Sequence, residues 1–590
     1  MRELPIREAV ERRAGAGRDL LLAAVLALTF SLFWAIGDWE RLSRLVLPDT
    51  DDMTRLAQVR DWLAGQAFDD WTQHRVAPPE GASMHWSRLN DLVPAAIIAA
   101  LTPLAGRHAA EVAAVLAWPA LLFTLNLFLL ARLARRLWSA EAAPVASVLG
   151  SFAYPGVTAF LPGRIDHHAL QTVMVELTLL ALTRPAGARG GFAAGACAAG
   201  SLVIGLEAAP QLAALLLVPF ALWALRGASE RERLLGIGAG LCGATGLAVL
   251  WLRPQLWSRG LCDAFTPASS TAALLGGAAL IALALATPRL QDARPRLLAG
   301  GATGAVVLAV VLRAFPACLA GPYGAMHPFL RAEYLPHIGE ATGLLAQPDT
   351  ASVIGLGGLM LVGAVGAVWM LARRPERWPV TAPAAAVVLA SAMIALHQLR
   401  GVYIGAPLAA PVLAGLVLAA RRRRSYRALA LVGAWLASSG LAHAGGAILV
   451  NRLGMVSQGS GDDAAACEAG ATWAMLDRFA PGVVMTGNNH AAYVIGATRH
   501  SSVGASYHRN DRGNMAMYRF FLGPPARSAA VAREWRVDYA AFCPGDFSEV
   551  DVTRRYPGSV AARLAGGATP PGWRRLPLRD TAMRFYRVEH

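Results

Sequence analysis

The sequence predicts a polytopic α-helical membrane protein, and three observations indicate this fold class. The chain has 590 residues, of which 55% are hydrophobic and only 16% are charged, whereas a soluble protein carries about a quarter charged residues. Apolar runs of roughly 20 residues recur, which is the length that crosses a bilayer as a helix. Arginines cluster in short turns between these runs, as is typical of cytoplasmic loops. The net charge of +15 therefore indicates membrane orientation rather than a nucleic-acid surface.

The apolar runs predict about thirteen spans, with the arginine-rich turns on the inner side. The first run, about Leu20 to Ile36, follows a basic N-terminus without an evident cleavage site, so we expect a retained helix. A stretch from about Asp91 to Leu104 is too short to span and fits a helix at the outer interface. The longer outer loops are then about 37–92, 161–168, 252–270 and 314–350.

The chain after the last predicted span, 451–590, is less hydrophobic and alternates strand-like and helical segments. We predict an α/β domain there, on the outer side, and a membrane domain over 1–450. Two pairs of cysteines fall outside the spans: Cys262 with Cys318, and Cys467 with Cys543. Disulfides within these pairs suit an oxidising compartment, although the sequence alone leaves the pairing open.

Two clusters of ionisable residues stand where predicted spans meet the outer face. Asp49, Asp51 and Asp52 follow the first span, and Asp166-His167-His168 follows the third. Ionisable groups at such positions are costly and usually face a cavity that serves a site. Carboxylates suit Mg²⁺ or Mn²⁺, and imidazoles also bind metals. We expect the clusters to share one divalent ion, although acidic triplets are also common as helix caps and surface groups.

Further candidates lie in loops or helix junctions on the same side. Arg400, in a very short junction, can clamp a phosphate bidentately or reach lipid headgroups. Arg88, in a polar aromatic stretch, has the same two interpretations. Glu340 lies in the long loop 314–350, whose length is typical of a functional lid. Glu207, between two apolar helices, is equally well explained as a hydrogen-bonded acid at a helix end.

The C-terminal segment contains two polar runs. The first includes Asn489 and His490, and the second includes Tyr507 and His508. These side chains are candidates for binding an acceptor, although turns and strand ends have similar compositions.

Taken in order, these motifs resemble those of the GT-C membrane glycosyltransferases, most closely the catalytic subunit of oligosaccharyltransferase and its bacterial and archaeal single-chain relatives. Asp49-Thr50-Asp51-Asp52 matches the family's first acidic motif. Asp166-His167-His168 matches the second, in a form close to that of archaeal members. Ile338-Gly339-Glu340 matches the glutamate of the long loop, and Arg400 the arginine that contacts the lipid phosphate. The resemblance implies a GT-C fold of thirteen membrane helices with an outer C-terminal domain.

One motif departs from the family. The acceptor-reading WWDYG sequence is absent, and Gly487-Asn488-Asn489-His490 stands at the corresponding place. The paired Trp and the Asp are missing. This departure weakens the expectation of Asn-X-Ser/Thr peptide recognition and affects the donor chemistry less.

The resemblance implies transfer, with inversion, of a sugar or oligosaccharide from a polyprenyl phosphate or diphosphate to a glycan, lipid or protein acceptor. We expect a multi-pass protein of the bacterial inner membrane, monomeric, surrounded by membrane lipids, with a periplasmic active site and no nucleic-acid partner. The expected roles are metal binding by Asp49, Asp51, Asp166, His167 and His168, catalysis by Asp51, Asp52 and Glu340, phosphate binding by Arg400 and Arg88, and acceptor binding by Asn489, His490, Tyr507 and His508.

Two other functions remain open at this point. A single-sugar transferase acting on lipid A or a polysaccharide is somewhat favoured by the missing WWDYG sequence. A transporter or flippase of lipid-linked sugars would predict internal repeats and broken helices with charges at mid-membrane. The sequence instead places its charges at helix ends on one side.

Overall fold

The computed structural model describes residues 3–252, 261–452, 467–547 and 550–589, and most of these residues are helical. Parts of the predicted outer loop 252–270 and of the segment after residue 450 lie outside the described residues. The helices of the first 452 residues are α1 (Glu3–Gly37), α2 (Trp39–Ser43), α3 (Thr50–Leu63), α4 (Leu92–Ala105), α5 (Arg107–Leu137), α6 (Ala142–Ser151), α7 (His168–Leu182), α8 (Ala188–Ile204), α9 (Ala209–Arg226), α10 (Ala228–Leu252), α11 (Pro267–Ala286), α12 (Ala293–Ala314), α13 (Pro328–Glu333), α14 (Thr350–Arg373), α15 (Trp378–Ala395), α16 (Arg400–Arg421), α17 (Arg427–Ala437) and α18 (Gly440–Arg452).

Within the described ranges, nine helices are long and apolar enough to cross a membrane, or ten if the bent pair α17 and α18 forms one span. The chain is thus a multi-pass membrane protein, as its composition predicts. The other predicted spans coincide with shorter apolar helices, namely α6, α7 and α8.

The shorter helices differ from the prediction that each of about thirteen apolar runs forms a regular span. The third predicted span, about Ala143 to Phe160, is helical only to Ser151 and resumes as a 3-10 turn at Gly156–Phe160. Pro155 has no N–H and restricts the residue before it, which favours an interruption here, although α5 and α16 accommodate internal prolines. The last predicted span bends by 82° at the break between α17 and α18.

Helix α16 lies at the centre of the helical core and is buried along most of its length. It packs against α15, α14, α6 and α5, and its buried residues are mainly small or aliphatic. Small residues let helix backbones approach closely, which is how helices associate in a membrane. The first residue of α16 is Arg400, so the packing of this helix fixes where that guanidinium stands.

The C-terminal residues form a five-stranded mixed sheet with helices on it, which confirms the predicted α/β character. A two-stranded ribbon, β1 (Thr72–Gln73) with β2 (Ala82–Ser83), stands apart. The elements after it in the C-terminal segment are α19 (Gly470–Leu476), β3 (Val483–Met485), α20 (Asn488–Ala497), β4 (Ser501–Ser502), α21 (Asp511–Leu522), α22 (Pro525–Trp535), β5 (Val537–Phe542), α23 (Val552–Arg555), α24 (Val560–Ala565), β6 (Trp573–Leu576) and β7 (Arg584–Val588). The strand order in the five-stranded sheet is β4-β3-β5-β7-β6. Strand β3 pairs parallel with β4 and β5, and β7 pairs antiparallel with β5 and β6.

The C-terminal segment packs directly onto the helix that carries the first acidic motif. At Gly496 in α20, an added Cβ would lie 2.8 Å from the Met53 carbonyl oxygen and 2.6 Å from the end of its side chain. Only a residue without a side chain allows α20 and α3 to approach this closely. The structure also contains disulfides Cys262–Cys318 and Cys467–Cys543, so both predicted pairings are confirmed.

Candidate functional site

A cavity of about 720 Å³ lies where the ends of several helices meet the C-terminal segment. It brings together side chains that are hundreds of residues apart in the sequence. Ten of the predicted site residues line it, namely Asp49, Asp51, Asp166, His168, Glu340, Arg400, Asn489, His490, Tyr507 and His508. The first six, together with Arg164, form what we call the charged wall. The C-terminal wall consists of the other four and Asp546.

The first acidic motif forms the N-terminal turn of α3. Asp49 is the N-cap and accepts a hydrogen bond from the Asp51 backbone N–H at 3.0 Å. Carboxylates at a helix N-terminus are stabilised by the free N–H groups and the helix dipole. Asp52 points away from the cavity, is fully buried, and accepts the backbone N–H groups of Ile165 and Asp166 at 2.8 Å each. The structure therefore corrects the catalytic role predicted for Asp52, because its carboxylate holds the backbone of the second motif.

Arg164 joins the two acidic motifs, and the sequence analysis gave it no role. Its guanidinium approaches Asp49 at 2.9 Å, Asp52 at 3.1 Å and Asp166 at 3.2 Å. Burial raises the pKa of Asp52 to about 8, although Arg164 opposes this rise. Arg164 could have been found from its position just before Asp166. A single cation beside several buried acids is expected to form ion pairs with them.

Two imidazoles flank the carboxylate of Asp166. Its Oδ2 lies 2.5 Å from His168 Nδ1, and its Oδ1 lies 2.8 Å from His167 Nδ1. Burial opposes ionisation, yet the neighbouring imidazoles hold the pKa of Asp166 well below its usual range. The second motif therefore presents an ionised carboxylate to the cavity.

The charged wall fits a divalent cation. Burial, followed by the charges of Asp49, Asp166 and Glu340, raises the pKa of Asp51 well above its usual value. The Nε2 atom of His168 is buried and has no hydrogen-bond partner among the described residues. Crowded carboxylates beside an unused imidazole nitrogen form a donor set that binds divalent metals.

His167 differs from the role predicted for it. It does not line the cavity, and both of its ring nitrogens face carboxylates, with Nδ1 next to Asp166 and Nε2 at 3.2 Å from Glu207. Two groups in the described part of the chain have ligand atoms within 4.8 Å of one another: Asp166 with both histidines, and His85 with His167 and Glu207. His167 belongs to both groups and lies behind the charged wall.

Glu340 reaches the cavity from the loop between α12 and α14. It forms an ion pair with Arg400, and its other oxygen lies 3.6 Å from His168 Nε2. Burial opposes ionisation, but Arg400 lowers the pKa of Glu340. Arg400 also donates to the Tyr323 hydroxyl at 3.2 Å. The loop thus closes one side of the cavity through the guanidinium that was predicted to bind phosphate.

The same loop is fastened along its length. Cys318 is bonded to Cys262, and the carboxylate of Asp511 accepts the His327 backbone N–H at 2.9 Å. Glu333 pairs with Arg555 at 2.7 Å.

Arg88 is a second correction. Its side chain is 1% exposed and does not line the cavity. It donates to the Asp70 carbonyl oxygen at 2.6 Å, to Gln66 at 3.0 Å and to the Gln58 carbonyl oxygen at 3.2 Å. Its two Nη groups donate within the protein, and its Nε has no hydrogen-bond partner among the described residues. This guanidinium therefore supports the loop before α4 and lies outside the cavity lining.

The C-terminal wall has fewer charges. His490 Nδ1 lies 3.3 Å from Asp546, and although burial opposes it, Asp546 raises the pKa of His490. His508 contacts Asp263 at 2.5 Å.

Tyr507 is held by a residue that the sequence analysis missed. Its hydroxyl lies 3.0 Å from His85 Nδ1, and burial lowers the pKa of His85 to about 4. Nothing in the sequence near residue 85 marked this histidine as part of a site.

Sequence comparison identifies no family model and no curated protein that matches this chain. The structure, in contrast, is similar to those of the oligosaccharyltransferase of Archaeoglobus fulgidus. A crystal structure of that enzyme in complex with Zn and sulfate aligns over 94% of this chain and 78% of its own length, with a TM-score of 0.63 and 13% identity.

Two further structures of this archaeal enzyme agree. AglB in complex with an inhibitory peptide and a dolichol-phosphate aligns over 97% of this chain and 74% of its own, with a TM-score of 0.62 and 14% identity. The enzyme tethered to an acceptor peptide with the NVT sequon covers 98% and 74%, with a TM-score of 0.60 and 14% identity. The likeness concerns the fold, and this chain has the GT-C-type fold of the archaeal oligosaccharyltransferases that its motifs predict.

Proposed function

We propose that this protein is a glycosyltransferase that moves a sugar or oligosaccharide from a polyprenyl phosphate or diphosphate to an acceptor, with a divalent metal and with inversion of the anomeric centre. One observation carries the proposal. Four segments that are distant in the sequence place Asp49 and Asp51, Asp166 and His168, Glu340, and Arg400 around one cavity. The GT-C-type fold supports the same function.

The charged wall would bind the donor's phosphate. Arg400 stands at the first residue of a deeply packed helix, and its guanidinium can hold two phosphate oxygens. Asp49, Asp51, Asp166 and His168 would hold Mg²⁺ or Mn²⁺, which when bound neutralises charge on the departing phosphate. Stabilising the charge that develops on a leaving group is usually the largest catalytic contribution.

The acceptor would be activated from the same wall. Asp51 is half-buried and surrounded by other acids, so its pKa is raised and its carboxylate binds protons more readily than usual. This suits a group that orients or deprotonates a hydroxyl or amide. Glu340 would close the cavity from the loop side. Phosphate oxygens compete with Glu340 for Arg400, so donor binding would release this carboxylate toward the acceptor. Attack from the side opposite the phosphate inverts the anomeric centre.

The acceptor class distinguishes two versions of the proposal. The archaeal neighbours carry a dolichol-phosphate in one structure and an acceptor peptide in another, which supports an oligosaccharyltransferase-like reaction with a protein acceptor. The C-terminal wall of this chain instead presents Asn489, His490, Tyr507 and His508 without a tryptophan pair. This observation favours, as second candidate, a single-sugar transferase acting on lipid A or a polysaccharide.

A transporter or flippase is the least supported alternative. In the described residues, the acids and Arg400 of the charged wall lie at helix ends or in loops, whereas transport sites are built at mid-membrane from broken helices.

The proposal also covers the domain boundaries, the membrane orientation and the oligomeric state of the protein. Residues 1–450 would form the catalytic membrane domain, and residues 451–590 the C-terminal domain. Both this domain and the cavity would face the periplasm of a bacterial inner membrane, with the protein acting as a monomer.

The proposal is tested by mass spectrometry of envelope glycans, glycoproteins and lipid extracts from a deletion strain. We expect one glycosylated product to disappear and a polyprenyl-linked saccharide to accumulate. Wild-type protein should restore the product, whereas Asp166→Ala should not, at equal protein levels in the membrane. Glu376→Ala, at an exposed position away from the cavity, is the matched control. Unchanged glycans in the deletion strain would exclude the transferase.

A further inference from the structure

We propose that Glu207 is a positioning residue that fixes both walls of the cavity from behind, through His167 on the metal side and His85 on the acceptor side. The inference rests on the proposed function for the roles of the two walls. It is carried by the contacts of one buried carboxylate that does not itself line the cavity.

The carboxylate of Glu207 has three partners. Its Oε1 atom is shared by His85 Nε2 at 3.0 Å and His167 Nε2 at 3.2 Å, and its Oε2 accepts from Gln171 Nε2 at 2.8 Å. Its side chain is only 6% exposed. Burying an ionised carboxylate is unfavourable unless neighbouring groups pair with it, so the three partners are needed to keep Glu207 charged at this position.

The backbone leaves room for this carboxylate. Gly205 lies between α8 and α9, and a Cβ added there would lie 2.3 Å from Glu207 Oε2 and 2.8 Å from Gln171 Nε2. No side-chain atom can occupy that space while Glu207 keeps its position. The glycine at position 205 therefore leaves the space that the Glu207 carboxylate occupies.

On the metal side, the Glu207 carboxylate lies 3.2 Å from His167 Nε2, a charge contact without hydrogen-bond geometry. The Nδ1 of His167 then lies 2.8 Å from Asp166 Oδ1 and 3.4 Å from the Arg55 guanidinium. The His167 ring also stacks on that of His168, with centroids 4.5 Å apart. Asp166 and His168 are the two metal-binding candidates of the second motif, so the orientation of His167 fixes both. Groups that orient metal ligands in this way typically change metal affinity about 10–100-fold when they are removed.

On the acceptor side, the same carboxylate sets the tautomer of His85. A carboxylate only accepts hydrogen bonds, so Nε2 of His85 carries the hydrogen, and in the neutral ring Nδ1 is an acceptor. The Tyr507 hydroxyl, 3.0 Å from Nδ1, then donates to it. The two rings stack with centroids 5.4 Å apart and an interplanar angle of 14°. These contacts hold the Tyr507 side chain in the lining of the cavity.

The test is a Mn²⁺ titration of the purified full-length protein, with free Mn²⁺ followed by electron paramagnetic resonance. Glu207→Gln keeps the shape but replaces one accepting oxygen with an amide. We expect one Mn²⁺ site in the wild type, and a dissociation constant about 10–100-fold higher in Glu207→Gln. Glu207→Asp, which keeps the charge but is one methylene shorter, should fall between the two.

The matched control is Glu176→Gln. Glu176 is also a fully buried glutamate and accepts from Asn126 at 2.7 Å, but it lies two turns along α7 from the site. We expect unchanged Mn²⁺ affinity in this variant. Thermal melting of each variant separates loss of the site from loss of the fold, and Glu207→Asp keeps the test open if Glu207→Gln does not fold.

Three results would overturn the inference. They are an unchanged Mn²⁺ affinity in folded Glu207→Gln, an equal loss in Glu176→Gln, and two Mn²⁺ ions in the wild type that fall to one in Glu207→Gln, because Glu207 would then be a ligand itself. The titration uses no glycosyl substrate, so its result is independent of whether the transfer reaction is found.

Discussion

The two walls of the cavity are built in different ways. The charged wall is a dense network in which Arg164, the acids and the imidazoles contact one another within about 3 Å, with Asp166 buried and Asp49 partly exposed. The C-terminal wall carries amides, hydroxyls and imidazoles with few ion pairs, His490 with Asp546 being one. The first wall suits chemistry on a phosphate, and the second suits recognition of a hydrogen-bonding acceptor. Changes in the first should therefore lower turnover with any acceptor, whereas changes in the second should alter acceptor binding.

The largest expected effect is that of Asp166→Ala or Asp51→Ala. Each removes a carboxylate from the proposed metal site, and we expect turnover to fall by on the order of 10³-fold or more. The assay is transfer of labelled sugar in membranes with matched protein levels, with Glu376→Ala as control. Residual activity above about a tenth of wild type in both variants would contradict the role of this wall.

The next effect is that of Arg400. Arg400→Ala should reduce transfer by about 100-fold, and Arg400→Lys should recover only part of it, because a lysine cannot hold two phosphate oxygens in a fixed plane. The KM for the lipid donor should rise while that for the acceptor stays constant. A change confined to the acceptor KM would indicate that Arg400 contributes to acceptor binding rather than to binding of the donor's phosphate.

Removing the metal should lower transfer to the same extent with a protein acceptor and with a lipid A or polysaccharide acceptor. Incubation with EDTA should abolish transfer, and Mn²⁺ or Mg²⁺ should restore it, because the charged wall concentrates carboxylates that cannot neutralise one another. Full activity in EDTA after prolonged dialysis would remove the metal from the mechanism.

A smaller effect is the pH dependence of the C-terminal wall. Burial alone would lower the pKa of His490, but the nearby Asp546 carboxylate raises it above the ordinary histidine value. The imidazolium is therefore fully present below the ordinary histidine pKa and is lost as the pH rises through the raised pKa. The acceptor KM should therefore increase at alkaline pH. Asp546→Asn should move this increase to lower pH, and Asp580→Asn, at an exposed site, should not. If Asp546→Asn left the pH dependence of the acceptor KM unchanged, His490 would have no role in acceptor binding.

The smallest effect is expected for the surface pair that fastens the loop. Arg555→Ala breaks the pair with Glu333, whose side chains are 42% and 20% exposed. Exposed ion pairs contribute about 0–1 kcal/mol, so the variant should melt within a few degrees of wild type and retain activity within a few-fold. A collapse of activity would show that the loop depends on this pair rather than on Glu340 and the disulfide.

The sequence predicted much of the fold because apolar length and arginine placement are local signals. It failed at the third span, where regular helix ends at Ser151 inside an otherwise apolar run, and at the last span, where the helix bends by 82° between Ala437 and Gly440. It predicted the acids of the charged wall because ionisable residues stand out next to apolar helices.

The partners of those acids were harder to predict. His85 and Glu207 act through contacts between residues that are 36 to 422 positions apart, and a single sequence contains no signal for such pairs. Arg164 also reaches Asp49, 115 positions away, and only its place just before the second motif marked it. Arg88 and Asp52 were assigned to the site for their chemistry, but burial determined their role: each makes hydrogen bonds to buried protein groups, and neither lines the cavity.

The central claim is that a divalent cation and the donor's phosphate bind side by side at the charged wall. Paramagnetic relaxation of the ³¹P signal of an added polyprenyl monophosphate by Mn²⁺ measures this proximity directly in the purified protein. We expect strong relaxation enhancement in the wild type that is lost in Asp166→Ala, where the cation is absent, and in Arg400→Ala, where the phosphate is absent. Enhancement that persists in Asp166→Ala, or none in wild type with both ligands bound, would contradict the claim.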